Sequence, residues 1–129
     1  MRTTIMMSVK PILLGGSATA IRTATALFLR YSLSSCAFVS QVTLLCRLLP
    51  FVLCRILSST DDRFVTMALD HFTREYGEST YILIPCTDAY RCFVERNRDT
   101  LEKRFIIRYP EELFVRGELF PLTVKGKDV

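Results

Sequence analysis

The sequence predicts an α+β protein in which an apolar, basic N-terminal helical region precedes a small α-β-α-β-β module. Three observations predict it. All 13 acidic residues lie at or after Asp61, whereas 6 of the 17 basic residues precede it, so residues 1–59 carry +6 and residues 60–129 carry −2. The first part also holds 8 of the 9 serines and the longest uncharged stretches. Beyond residue 60, apolar residues at spacings of three and four are interrupted by short β-branched and aromatic runs, the mark of alternating helices and strands. Half of the residues are hydrophobic, 23% are charged and the mean hydropathy is +0.26, which excludes a disordered chain and a collagen-like one. The chain divides into a basic, acid-free targeting or membrane-associated region over 1–59 and a small interaction module over 60–129.

Residues 1–31 combine Arg2, Lys10, Arg22 and Arg30 with hydroxyls and no acid. That is the composition of a mitochondrial transit peptide, drawn by its charge toward an inside-negative membrane. A cut after Tyr31 would follow the spacing from Arg30. A secretory signal competes through small-x-small sites at 18–20 and 24–26, but Gly15-Gly16 interrupts the apolar run after Lys10 too soon for its hydrophobic region. The Gly15-Gly16 pair also suggests a phosphate loop. No Gly-Lys-Ser/Thr follows it and no strand with nearby acids frames it, so phosphate binding is set aside.

Residues 36–57 are apolar but carry Arg47 and Arg55, and an Arg near the middle of a span costs roughly 2.5–3.5 kcal/mol. Insertion is marginal. At 100° per residue, Phe38, Val42, Leu45, Leu49, Val52 and Ile56 take one side of a helix, with Arg47 and Arg55 on the other. These eight residues are the candidate membrane contacts of an interfacial helix kinked at Pro50. The competing reading is a buried helix of a soluble core.

From residue 59 the helix signals are orthodox. Ser59 or Thr60 can cap, Asp61 and Asp62 suit the positive end of a dipole, and Val65, Ala68, Leu69, Phe72 and Tyr76 recur at helical spacing until Gly77. A helix is expected over 60–76. A strand follows at 80–84, closed by Pro85, and Thr87 caps a second helix over 88–103. A second strand is expected over 105–109, a helical turn over 110–113, and one or two short strands within 114–124. The second helix can cross between parallel strands.

The candidates for chemistry are sparse. His71 and Glu75 share a helical face but lack a third ligand, and no nucleophile is placed near His71. The five cysteines, at 36, 46, 54, 86 and 92, show no Cys-x-x-Cys spacing and are read as reduced thiols. Arg91, Arg98, Lys103 and Arg104 form a candidate interaction surface. The interleaved Glu95, Asp99 and Glu102 favour a solvated face over nucleic-acid binding. No cofactor, metal or catalytic constellation is indicated. The expected function is therefore that of a small non-enzymatic accessory protein, held at a membrane or sent to an organelle by its first half. Its second half would engage a protein partner or a second copy. The alternative is a soluble interaction or nucleic-acid-associated module with a cleaved or unstructured leader.

Overall fold

The run Val-Lys-Pro-Ile-Leu-Leu at Val9–Leu14 is nearly continuous in apolar residues, as a strand buried on both faces must be. It is β1, the central strand of a five-stranded sheet. The computed structural model describes residues 9–41, 47–115 and 118–119. Within them the chain runs β1 (Val9–Leu14), α1 (Ala18–Tyr31), β2 (Ser35–Val39), β3 (Val52–Ile56), α2 (Asp62–Tyr76), β4 (Thr80–Pro85), α3 (Asp88–Arg96), α4 (Arg98–Leu101), β5 (Phe105–Ile107) and α5 (Pro110–Leu113). A two-stranded antiparallel pair, β6 (Phe114–Val115) and β7 (Glu118–Leu119), closes the described chain.

The large sheet has the order β3-β2-β1-β4-β5, and all four of its pairings are parallel. The protein is thus mixed α/β with helices as crossovers, where the sequence predicts α+β. Alternate side chains of each strand point to opposite faces. Ile12 and Leu14 of β1 join a core with Leu69 and Phe72 of α2 and Phe93 and Val94 of α3. Leu13 faces the other way, onto Ala20, Ala24 and Leu27 of α1. Each such Leu or Ile, fully withdrawn from water, contributes about 1.5–3 kcal/mol.

Each helix begins and ends for a local reason. Ser17 caps α1 by accepting the Ala20 N–H, and Ser32 ends it in the left-handed region at φ 58°, its N–H returning to Phe28. Asp61, rather than Ser59 or Thr60, caps α2 by accepting the Arg63 N–H. Ser59 in turn accepts the N–H of Asp61 at 3.1 Å. Gly77 ends α2 at φ 103°. The helix expected over 88–103 is broken into α3 and α4 at Asn97, whose side chain donates to Phe93 O at 2.9 Å and to Asp62 at 3.0 Å. The expected strand over 105–109 is shorter, ending at Ile107.

Within residues 36–57, whose spacing suits an amphipathic helix, the described residues on either side of 42–46 contribute strands, and 42–46 lie outside the described residues. Ser35–Val39 and Val52–Ile56 are strands paired to each other, from Ser35↔Val52 to Val39↔Ile56. Their apolar runs satisfy a helical period and a doubly buried strand equally well, and pairing with β1 decides between them. The composition boundary near residue 60 lies in the loop before α2, and β1 from the basic half pairs along its whole length with β4 from the other. The charges of the two halves also meet there. Arg55 of β3 pairs with Glu75 of α2 at 3.4 Å and lies 5.6 Å from the Phe72 ring centroid. The ammonium of Lys10 sits 5.2 Å from the Tyr76 centroid.

Candidate functional site

The sheet order reverses between β1 and β4. From the end of β1 the chain leaves through α1 on one face toward β2, and from the end of β4 it leaves through α3 on the opposite face toward β5. The two strands stay registered to their last residues, Leu14 opposite Pro85, with the Cys86 N–H donating to Leu14 O at 2.9 Å. They then diverge and leave a crevice of about 550 Å³ at their carboxyl ends. In open parallel sheets, ligands settle at this switch point because two helix N-termini point into a gap that no side chain fills.

One wall is the β1–α1 turn. Gly15 stands at φ +108°, where a side chain is strained, and its N–H donates to Phe38 O at 2.8 Å. A Cβ there would lie 2.8 Å from Cγ2 of Thr87, so the two loops approach as closely as they do only because residue 15 is glycine. Ser17 follows, its oxygen accepting the Ala20 N–H at 3.3 Å and its proton donated to Cys86 O at 3.0 Å. The first turn of α1 holds no acid, and its next turn presents Arg22 to the crevice. Among the described residues, Arg22 has no hydrogen-bond or ion-pair partner.

The other wall is the β4–α3 turn. Thr87 caps α3 through the Tyr90 N–H at 3.2 Å, and Asp88 occupies its first turn. Arg91, one turn further on, is gripped by Glu111 of α5, with Nη1 donating to Oε1 at 2.9 Å and Nη2 closing on the second oxygen. Its guanidinium also lies 4.5 Å from the Tyr109 ring centroid. Bonding to Arg91 holds the Glu111 carboxyl below the ordinary glutamate range and raises the arginine above its own. Cys86 in this wall is 7% exposed, and burial pushes its thiol up to about 12. It is a neutral thiol, not a ready nucleophile. The crevice therefore offers two guanidiniums, two carboxylates, hydroxyls and an uncompensated helix N-terminus, a set suited to holding a small polar ligand by its oxyanion.

Of the residues read from sequence as membrane contacts, those described do not share a face. Phe38 is 2% exposed in β2 against the α2 side, Val52 is buried in β3, and Leu49 packs against the α1-side core. Ile56 and Arg47 are exposed, Arg55 pairs with Glu75, and Val42 and Leu45 lie outside the described residues. Among the described residues, no helix is long and apolar enough to cross a membrane.

Of the candidate interaction residues, Arg91 alone reaches the crevice. Arg98 bonds Glu95 and Glu102 at 3.0 and 2.9 Å, Arg104 is paired with Asp70 and Lys103 is exposed, so this surface is laced by its own acids. His71 and Glu75 meet at 3.5 Å, and no group of three or more metal-binding side chains assembles among the described residues.

Sequence reasoning missed Gly15, Ser17, Thr87, Asp88 and Glu111 as a group. The available signal is Gly15-Gly16-Ser17 behind the apolar residues 11–14, which end β1; the pair lacks the Gly-Lys-Ser/Thr and the acid-flanked strand that would mark a phosphate loop.

The site defines a class, that of doubly wound α/β domains with an open switch-point crevice. No protein-family model, no curated protein and no solved structure matches the chain.

Proposed function

We propose that this chain is a ligand-binding α/β domain whose crevice between β1 and β4 takes a small molecule through a phosphate or carboxylate group. One observation carries the reading: an open crevice at the reversal of strand order, lined by Arg22 and Arg91 and faced by the acid-free N-terminus of α1. In this reading Arg22 and the first-turn N–H groups of α1 receive the oxyanion. The hydroxyls of Thr19 and Thr87 and the carboxylate of Asp88 orient the remainder of the ligand. The role is binding and positioning, in keeping with the raised thiol of Cys86.

The test is thermal unfolding against a panel of small phosphorylated, carboxylated and neutral compounds. A ligand at a hundred times its Kd stabilises the folded state by about 2.7 kcal/mol, an upward shift of several degrees. The reading requires that anionic members raise the midpoint, that neutral ones do not, and that Arg22→Gln weakens the response. A flat panel at millimolar concentration would refute it.

A second reading, a module that engages another copy of itself, rests on β3. Among the described residues that strand is an edge of the sheet, with Leu53 54% and Ile56 53% exposed. Sedimentation would show a dimer that Ile56→Lys dissociates, and a monomer at all concentrations would exclude it.

A further inference from the structure

The crevice already holds a carboxylate, and it belongs to the protein. Glu111 enters from α5, a single turn carried on the chain after β5, and its two oxygens take both terminal nitrogens of Arg91. This side-by-side arrangement is how an arginine grips any oxyanion. The two partners are not equally held. Arg91 projects from the middle of a capped helix, and its guanidinium rests on the ring of Tyr109. That ring is fixed in turn, since its hydroxyl contacts Glu95 and accepts from Arg98 at 2.9 Å. Besides Arg91, the Glu111 carboxylate accepts only from its own backbone N–H among the described residues, and its side chain is 59% exposed against 37% for Arg91. Arg91 is a fixed fork and Glu111 its exchangeable occupant.

We propose that Glu111 is an internal competitor for the crevice: its carboxylate occupies Arg91 in the empty state, and an incoming oxyanion displaces it and releases the Glu111 side chain from α3. The inference rests on the ligand-binding reading above. It follows from charge and from geometry together. With Glu111 in place the side-chain charges of the walls cancel, Arg22 and Arg91 against Asp88 and Glu111, and an added anion is drawn only by the N-terminus of α1 and by the unpaired Arg22. With Glu111 withdrawn, one guanidinium is released and the same two hydrogen bonds can be remade to the ligand. The exchange swaps like for like on Arg91, so the bias it must overcome is small. Exposed ion pairs of this kind shift an equilibrium by about two- to five-fold. The consequence reaches past the crevice, because Glu111 ties α5 to α3 alongside the Tyr109 hydroxyl bonded to Glu95, and β6 follows α5 directly.

The experiment is a titration of the full chain with inorganic phosphate at low ionic strength. Backbone amide resonances of Ala18 and Thr19 report the crevice, and those of Glu111 and Glu112 report the tie. Glu111→Gln keeps the shape and one acceptor but removes the charge, and its exposed site makes loss of folding a minor concern. The expected result has three parts. Phosphate binds Glu111→Gln about two- to five-fold more tightly than wild type. In wild type the amides of 111 and 112 shift together with those of 18 and 19. In Arg91→Gln the crevice amides respond more weakly and those at 111 and 112 do not respond. Equal affinities for wild type and Glu111→Gln, with the crevice amides shifting in both, would overturn the competitor and leave the ligand site standing. No shift at Ala18 or Thr19 in either protein would overturn both.

Discussion

Ser17 joins the two loops of the switch point with a single hydroxyl: its oxygen accepts the Ala20 N–H at the start of α1, and its proton goes to the carbonyl of Cys86 at the end of β4. The residue is both a helix cap and a cross-strap between the walls of the crevice. Ser17→Ala removes both bonds. A lost cap costs about 1 kcal/mol and a lost part-buried hydrogen bond a similar amount. The expected destabilisation is about 2 kcal/mol in urea unfolding, together with a weaker response to crevice ligands. An unchanged midpoint would show that water replaces both bonds.

Gly15 and Thr87 form the tightest approach between the same loops. Gly15→Ala places a methyl against Cγ2 of Thr87 and forces a side chain onto φ +108°, and is expected to cost about 1–3 kcal/mol. Thr87→Ser removes the methyl while keeping the capping oxygen. Combined with Gly15→Ala, it should recover the steric part of the loss and leave the backbone part, so a double-mutant cycle should show a positive coupling. Strict additivity would mean that the two residues do not touch.

Helical spacing puts Phe38 and Ile56 on one side of an interfacial helix, and the sheet sends them to opposite fates. Phe38→Ala empties a site 2% exposed and is expected to cost about 3–5 kcal/mol. Ile56→Ala acts on a side chain 53% exposed and should stay within about 0.5 kcal/mol of wild type. Chemical denaturation of the two variants decides the point, and equal costs would contradict the placement of β2 and β3.

Asp62 carries an acid sensitivity of its own. Hydrogen bonds from Arg96 and Asn97 lower its pKa from 3.8 to about 2. A folded-state value below the unfolded one means that the stabilisation is complete above about pH 4 and is lost as the pH falls toward 2. The pair is partly exposed, so its removal by Asp62→Asn should cost under about 1 kcal/mol at pH 7. The difference between variant and wild type should vanish near pH 2, and a gap that persists there would assign the effect elsewhere.

These variants divide along the line of what was legible. The elements after residue 60 could be read because each carries its own punctuation. Asp62 begins a helix with an amphipathic stripe, Thr87 caps the next, and Pro85 closes the strand between them. What could not be read is the relation of those elements to the first half. Val9–Leu14 and Ser35–Val39 are apolar on both faces, so they carry no period of two, and the same runs mimic a helix or a membrane segment. Phe38, Val52 and Leu49 answer to β1 and α1, contacts that no local pattern announces. The crevice was missed for the same reason. Gly15-Gly16-Ser17 acquires meaning only when β1 ends before it and β4 stands beside it, and Glu111 reaches Arg91 from 20 positions further along the chain.

The placement of β1 at the middle of the sheet also governs the order in which the chain can assemble. Its partner β2 lies close behind it, but β4 is 71 positions later, as the pairing of Val9 with Thr80 shows. As the polypeptide is made from its amino end, the acid-free half emerges with one full side of its central strand unpaired. Such an edge is a template for pairing with other chains. Six positive charges with no acid among them make copies of that half repel one another during this interval. The charge asymmetry thus acts on the unfinished chain, and the arrival of β4 ends the need for it.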